Sequence, residues 1–293
     1  MSSQIKGSVC FVTGANRGIG RALVEEALRR GAKRVYAGTR QPLAHSDGRI
    51  TPLTLDVTNA AQIQEAVERV ESLDILVNNA GLDLQGELGD RAALEKHLAV
   101  NLFGTYGVTQ AFLPLLTRSG GAIVNVLSLA AIAPLPFTPT YSISKAAALS
   151  LSQSLRALLA GRGVRVHVVL PGLVDTDMTR GLDLPKTSPE SVARAIFDGV
   201  EKGEEEIFPD PCQRPWRKPG AAVRPRCSSA SLRRSWQRTS SHKQTTRLME
   251  ALQVVRESES QASQVATLAP AVQRRRIHSS RRYTRVGCDD KLQ

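Results

Sequence analysis

Short apolar runs alternate with helix-patterned segments along residues 1–211, and this alternation constrains the fold more than any other feature. It predicts strands at residues 9–12, 33–38, 50–56, 74–77, 122–127, 164–170 and 206–208, with helices at 18–30, 59–72, 90–117, 140–160 and 189–203. Strands made almost wholly of Val, Ile and Leu, each followed by a helix, are typical of a parallel sheet covered on both faces. The sequence therefore predicts one doubly wound α/β domain over residues 1–211.

Residues 212–293 have a different composition, in which Arg, Ser and Gln prevail. The chain of 293 residues has a net charge of +12; residues 1–211 carry 21 Lys and Arg against 22 Asp and Glu, net −1, and residues 212–293 carry 18 against 5, net +13. Three interpretations are open for this tail: an arm for nucleic acid or an anionic surface, an ordinary disordered extension, or a segment read out of frame. The loss of hydrophobic periodicity favours the last, and the scarcity of aromatic residues argues against nucleic acid as a partner.

Several classes of protein are excluded by composition. No stretch approaches the roughly 18 apolar residues of a membrane-spanning helix, and the polar start lacks the regions of a signal peptide. Cys10, Cys212, Cys227 and Cys288 form no closely spaced pair, so we expect free thiols and neither a disulfide framework nor a metal site. These features predict a cytoplasmic protein without a membrane partner.

A glycine-rich segment follows the first predicted strand and opens the first predicted helix. Free N–H groups at a helix start can bind a pyrophosphate, and glycine lets the backbone approach it closely. The alternative is an ordinary strand-to-helix turn. The dinucleotide interpretation gives these candidate contacts: Gly14, Asn16, Arg17, Gly18, Ile19 and Gly20.

The end of the second predicted strand indicates which dinucleotide is bound. An acidic residue there would bind the ribose hydroxyls of NAD, but the segment reads Gly38-Thr39-Arg40. Arg40 and Arg17 could instead bind the 2′-phosphate of NADP through their guanidinium groups. We therefore expect NADP(H) in preference to NAD(H), with a solvated surface arginine as the alternative for Arg40.

Tyr141 and Lys145 lie one turn apart at the start of a predicted helix. A cation near a phenol lowers the pKa of the phenol toward the range of a general acid or base. The same spacing is common on helix surfaces, so the pair alone does not establish a catalytic site.

These motifs, in this order, resemble those of the classical short-chain dehydrogenase/reductases. The resemblance covers about 70% of the chain, residues 5–211, and nothing beyond. Ser128 precedes Tyr141 by thirteen residues, as is usual in that family. The matching positions are residues 13–20, Asp56-Val57, residues 78–81, Asn101, Ser128, Tyr141, Lys145, Pro171-Gly172, Val174 and Thr176.

The resemblance implies a Rossmann fold and a role for each matched residue. Tyr141 would exchange a proton with the substrate oxygen, Lys145 would lower the pKa of Tyr141 and hold the nicotinamide ribose, and Ser128 would stabilise the substrate oxygen. Asn101 would hold a water molecule that links Lys145 to solvent. The other implied cofactor contacts are Asp56 at the adenine amino group, Val57 at its ring, Asn79 and Ala80 at the ribose, and Gly81, Pro171, Gly172, Val174 and Thr176.

The expected activity is hydride transfer between NADP(H) and a carbonyl or secondary alcohol. A small apolar substrate is expected because the segments 130–139 and 173–185 are apolar, although these residues could equally pack a closed loop or a subunit contact. The resemblance also implies a homo-oligomer formed through the helices at 90–117 and 140–160. The alternative function is a dinucleotide-binding regulator or nucleic-acid-associated protein that uses the tail. His97 is expected to have a structural role.

Overall fold

The computed structural model of the chain describes residues 4–41, 43–84, 87–135 and 137–210. Within them, one parallel sheet has the strand order β3-β2-β1-β4-β5-β6-β7. Its strands are β1 Val9–Thr13, β2 Arg34–Thr39, β3 Ile50–Thr54, β4 Ile75–Asn78, β5 Ala122–Val126, β6 Arg165–Val169 and β7 Glu206–Ile207. The prediction of a doubly wound α/β fold is confirmed. Residues 212–293 lie outside the described residues, so the domain boundary and the interpretations of the tail stay predictions.

All but one of the helices between the strands begin within one residue of the predicted starts. They are α1 Gly18–Arg29, α2 Ala60–Glu68, α3 Arg91–His97, α4 Thr105–Ser119, α5 Pro139–Leu159 and α6 Pro189–Lys202. The side chain of Asn59 caps α2, and that of Ser188 caps α6. Helix α2 ends at Glu68 rather than at the predicted residue 72.

The predicted continuous helix over residues 90–117 is wrong in one respect. A π-helical segment, Leu98–Gly104, separates α3 from α4, and Asn101 lies in the middle of it. A π segment is a wider helical turn that is frequently found at functional sites. The hydrophobic pattern did not reveal it because seven residues are too few to separate a π period from an α period.

Alternate residues of the strands enter apolar layers on opposite faces of the sheet. Cys10 and Val12 pack in one layer with residues of α1 and α6, whereas Val9 and Phe11 pack in the other with residues of α2, α4 and α5. Burial raises the pKa of the Cys10 thiol to about 12, as suits a strand residue in the core. Both faces of the sheet are therefore covered, as the continuous apolar runs predict.

The strand order places β1 between β2 and β4. The chain first adds β2 and β3 on one side of β1 and then adds β4 to β7 on the other side, so the strand order reverses between β1 and β4. Ligands of such folds bind at the carboxyl edge of the sheet at this reversal. The turn after β1 and the loop after β4 meet there. Within the described part of the chain, no helix combines the length and the apolar character needed to cross a membrane.

Candidate active site

The turn between β1 and α1 is shaped by glycines. Gly14 and Gly18 have positive φ angles of 66° and 52°, and a Cβ atom on Gly20 would collide with the carbonyl oxygen of Gly14. Helix α1 begins at Gly18, and the side chain of the preceding residue, Arg17, does not cap it. The turn thus fits a pyrophosphate, because bare backbone and the positive end of a helix meet at this point.

The loop after β4 holds this turn in place. The Asn79 side-chain amide donates to the carbonyl oxygens of Thr13 at 2.9 Å and Gly14 at 3.2 Å. The N–H groups of Asn79 and Ala80 donate to the Thr13 hydroxyl at 2.9 and 3.0 Å. Three members of the predicted cofactor set, Gly14, Asn79 and Ala80, are therefore brought together.

The predicted adenine end lies after β2 and β3. The Asp56 carboxylate accepts bonds from the Thr58 N–H at 2.9 Å and hydroxyl at 2.7 Å. These bonds, with a smaller contribution from the charge of Arg40, hold the pKa of Asp56 below its usual value. Val57 packs against Gly104 of the π segment, where a Cβ atom would lie 2.6 Å from a Val57 methyl carbon.

The two arginines proposed for a 2′-phosphate have different neighbours. Arg40 acts on Asp56, whereas Arg17 reaches over to Asp177, with 3.1 Å between its Nη1 and the carboxylate Oδ2. Both members of the Arg17–Asp177 pair are well exposed, so the pair stabilises the fold little. Asn16 is exposed beside Arg17, and Ile19 is partly buried against the core.

Tyr141 and Lys145 face each other on the first turns of α5, and both are buried. The Lys145 Nζ lies 5.6 Å from the centre of the Tyr141 ring and donates to the Val126 carbonyl at 3.1 Å. Burial lowers the pKa of Lys145 to about 8 and raises that of Tyr141, while a hydrogen bond with Ser128 lowers the Tyr141 pKa in part. The pKa of Tyr141 in the free protein is therefore above its usual value, because the cost of burying the phenolate dominates. The lowering of this pKa by Lys145 stays a prediction.

Asn101 joins the π segment to two other parts of the site. Its Oδ1 accepts from the Leu82 N–H, and its Nδ2 donates to the Leu82 carbonyl and to the Ser144 hydroxyl, each at 2.9 Å. Gly81 lies between these groups, since a Cβ atom there would be 3.5 Å from the Asn101 Oδ1 and 3.6 Å from the Lys145 Nζ. Asn101, Gly81 and Lys145 thus form one cluster, as the motif positions predict.

The segment after β6 closes the other side of the site. The Pro171 carbonyl accepts from the N–H of Leu129, the residue after Ser128, at 3.0 Å. Val174 is buried and pairs with Thr187, and Gly172 lies between Pro171 and Val174 along the chain. The Thr176 methyl group would be 3.0 Å from a Cβ atom on Gly18, so this segment touches the glycine turn.

Comparison with known proteins agrees with this geometry. The family model described as short chain dehydrogenase matches residues 8–186, which is more than half of the chain. The chain belongs to the short-chain dehydrogenase family. It is an oxidoreductase of that family, acts on CH–OH groups and uses a nicotinamide dinucleotide.

Individual relatives cover the same part of the chain. A 2-(S)-hydroxypropyl-CoM dehydrogenase of Xanthobacter autotrophicus is 37% identical over 212 residues, which are 67% of this chain and 83% of the relative. A short chain dehydrogenase from Burkholderia cenocepacia in complex with NADP is 41% identical, with a TM-score of 0.68 over 70% of this chain and 89% of that one. A 3-ketoacyl-(acyl-carrier-protein) reductase from Brucella melitensis complexed with NADH is 22% identical, with a TM-score of 0.64 over 70% and 97%, and shares the fold.

This short-chain dehydrogenase has further residues at the site that the motifs did not indicate. Asp83 accepts from the Thr138 hydroxyl at 2.7 Å, and its Oδ1 lies 3.8 Å from the His97 Nε2. His97 is fully buried, with its ring centre 6.0 Å from that of Tyr141 in an edge-on contact. His97 was expected to have only a structural role on a helix without a partner, but it lies beside Tyr141. The one available signal was the position of Asp83, two residues after the matched residues 78–81.

Proposed function

We propose that the protein is an NADP(H)-dependent oxidoreductase that interconverts a small apolar carbonyl compound and the corresponding secondary alcohol. The proposal rests on one observation above all: buried Tyr141 and Lys145 face each other next to Ser128, at the edge of the sheet where the glycine turn opens. A module that only binds nucleotide has no need for a phenol and an amine in this arrangement.

The bound cofactor would supply or accept the hydride. The glycine turn, from Gly14 to Gly20, would hold its pyrophosphate, with Asp56 and Val57 at the adenine. Asn79, Ala80, Gly81 and Lys145 would contact the riboses, and the segment with Pro171, Gly172, Val174 and Thr176 would lie on the nicotinamide side. The uncapped start of α1 supports this placement, since its N–H groups suit an anion.

Tyr141 would donate a proton to the carbonyl oxygen during reduction and take it from the hydroxyl during oxidation. Ser128 would hydrogen-bond the same oxygen, where charge develops. In the free protein burial raises the pKa of Tyr141, so the phenolate needs help from a cation. Lys145, with its Nζ 5.6 Å from the ring centre, would supply this positive charge. Asn101 would keep the backbone of Leu82 beside Lys145 and hold the water expected there.

The preference for NADP(H) rests on Arg40 and Arg17. An arginine bonded to a phosphate makes a charge-assisted, often bidentate contact that NADH lacks. We expect Arg40→Ala to raise the Kd for NADPH about tenfold and to leave the Kd for NADH within twofold, by fluorescence titration. Arg69→Ala, at an exposed position after α2, is the matched control and should change neither value. Equal losses for both nucleotides would contradict the 2′-phosphate assignment.

The segments on either side of the site support the proposed substrate class. Ile132 and Phe137 lie in the segment before α5, and Met178 lies in the segment after β6; all three are large apolar side chains exposed to solvent. Exposed apolar side chains at an active site favour a substrate with apolar substituents. A sugar or an acid would leave them without a complementary surface.

The experiment that tests the function begins with NADPH and NADH titrations of the full chain and of a chain ending at residue 210. Turnover is then measured with a panel of apolar aldehydes, ketones and secondary alcohols. We expect both chains to bind NADPH, and Tyr141→Phe to lower kcat at least a hundredfold with little change in NADPH affinity. Full turnover by Tyr141→Phe would refute the proposed site.

A further inference from the structure

A carboxylate that belongs to none of the family motifs lies beside the proposed catalytic pair. Asp83 follows β4, and its Oδ1 accepts a 2.7 Å hydrogen bond from the hydroxyl of Thr138. Thr138 immediately precedes α5, yet its side chain makes no capping bond to that helix. The threonine hydroxyl is used to hold the carboxylate rather than to cap the helix, which is the common use of a threonine at this position.

The carboxylate lies near His97, whose ring packs against Tyr141. The Asp83 Oδ1 is 3.8 Å from the His97 Nε2, and the N–H of Leu84 donates to that same Nε2 at 2.8 Å. The His97 ring meets the edge of the Tyr141 ring at 6.0 Å between centres. The Asp83 carboxylate is therefore held by Thr138, three residues before Tyr141, and the backbone of the next residue, Leu84, is held by His97.

We propose that Asp83 is a positioning residue for the reaction: its fixed carboxylate places a negative charge beside Tyr141 and Lys145 and sets the pH range in which this pair transfers protons. The inference rests on the proposed function, because it assigns Asp83 to the same pair. It adds a residue that carries no motif.

The direction of the effect follows from charge. A negative charge opposes ionisation of a phenol and favours the protonated amine, so the Asp83 carboxylate raises the pKa of both Tyr141 and Lys145. It also raises the pKa of His97, against the larger lowering by burial. Within the described part of the chain, the charged groups that act on these three side chains are Asp83, Asp90 and Lys145. Asp90 acts on His97 only, so Asp83 supplies the carboxylate charge at Tyr141.

The test compares pH profiles of kcat for alcohol oxidation by the full-length enzyme with NADP⁺. Asp83→Asn keeps an oxygen acceptor for Thr138 but removes the charge. We expect the rising limb of its profile to move to lower pH by about one unit, because Tyr141 then loses its proton more easily. Asp83→Glu keeps the charge and should restore the wild-type midpoint. Thr138→Val removes the tether without removing the charge, so it should move the midpoint less than Asp83→Asn does.

A second readout is independent of turnover. The imidazole of His97 is titrated by NMR, with its signal assigned by comparison with His97→Gln. In Asp83→Asn we expect the titration midpoint of His97 to fall by about one unit, and in Asp83→Glu to stay near the wild-type value. A midpoint that stays unchanged in Asp83→Asn would show that the carboxylate charge does not act in this cluster and would overturn the inference.

The outcomes separate this inference from the function on which it rests. If Tyr141→Phe loses turnover but the profile of Asp83→Asn coincides with that of the wild type, the inference is overturned and the function stands. If Tyr141→Phe retains turnover, both are overturned. A profile that moves equally in Asp83→Asn and Asp83→Glu would indicate a purely structural role for Asp83 and would also overturn the inference.

Discussion

Lys145 is held in an environment that disfavours its positive charge. Its ammonium is buried, and its hydrogen bond is to the Val126 carbonyl, which carries no charge. Burial lowers the pKa of Lys145 from 10.5 to about 8, so the folded protein holds this proton less tightly than the unfolded chain does. Such a residue costs stability and is therefore more easily explained by function than by folding.

The cost of Lys145 has a definite dependence on pH. Between about pH 8 and 10.5 the unfolded chain binds more protons than the folded one, so the contribution of Lys145 to the free energy of unfolding rises with pH across this window. Below pH 8 the full penalty is present. We expect Lys145→Met to increase the free energy of unfolding at pH 7 by about 2 kcal/mol, after allowing for the lost hydrogen bond, while turnover is lost.

Urea unfolding of both proteins at pH 7 and at pH 10.5 measures this effect. The advantage of Lys145→Met over the wild type should shrink toward zero at the higher pH. Lys202→Met, at an exposed position of α6, serves as the control and should change stability little at either pH. A Lys145→Met protein that is less stable than the wild type at pH 7 would show that burial of the ammonium does not destabilise the fold.

At the scale of elements, what the sequence predicts well is what depends on neighbours in the chain. Residues 13–20 could be placed at a helix start because a strand pattern precedes them, and Tyr141 and Lys145 because helical spacing puts them on one face. The contacts that complete the site join distant elements: Asn101 with Ser144, and Asp83 with Thr138. No local pattern predicts such pairs, because they depend on how α3, the π segment and α5 pack together.

The π segment illustrates the same limit. The sequence predicts a helix throughout residues 90–117, and the chain is helical there, but the wider turn at Leu98–Gly104 changes the direction of the side chains. Asn101 can then reach the backbone of Leu82 with both ends of its amide.

The start of α1 permits a test of its role as the cofactor cradle. A methyl group at position 20 would collide with the Gly14 carbonyl oxygen and would lie 2.5 Å from the Asn79 Nδ2. Backbone must move to relieve this, so we expect Gly20→Ala to weaken NADPH binding at least tenfold, measured by fluorescence titration or calorimetry. The fold should persist, because the collision is confined to the turn and the loop after β4.

Gly107 in α4 provides a matched control for the same substitution. Its added Cβ would meet only the Ile63 Cδ1 at 3.5 Å, which is an ordinary contact. Because alanine is the better helix former by up to about 1 kcal/mol, Gly107→Ala should leave NADPH affinity unchanged and raise thermal stability slightly. Equal NADPH affinity in Gly20→Ala and the wild type would contradict the placement of the pyrophosphate at this turn.

On the scale of the whole molecule, the described domain buries both faces of its sheet and still exposes large apolar side chains on its helices. Phe103 in the π segment is 62% exposed, and Tyr106, three residues further along at the start of α4, is 49% exposed. The family resemblance implies a homo-oligomer formed through this helix and α5. An exposed Phe and an exposed Tyr near each other fit such a contact, because covering aromatic side chains removes a large apolar surface from water.

We expect the wild-type protein to sediment as an oligomer and Phe103→Glu to shift it to a smaller species, since an unpaired carboxylate is costly to bury. Leu88→Glu is the control. The exposed fraction of Leu88, 64%, is similar to that of Phe103, but Leu88 precedes α3 and lies outside the proposed contact. Sedimentation velocity over a range of concentrations distinguishes the species. Because Asn101 lies two residues from Phe103, loss of the oligomer should also lower kcat, through loosening of the π segment. If Leu88→Glu dissociates the oligomer and Phe103→Glu does not, the contact lies on a different face of the domain.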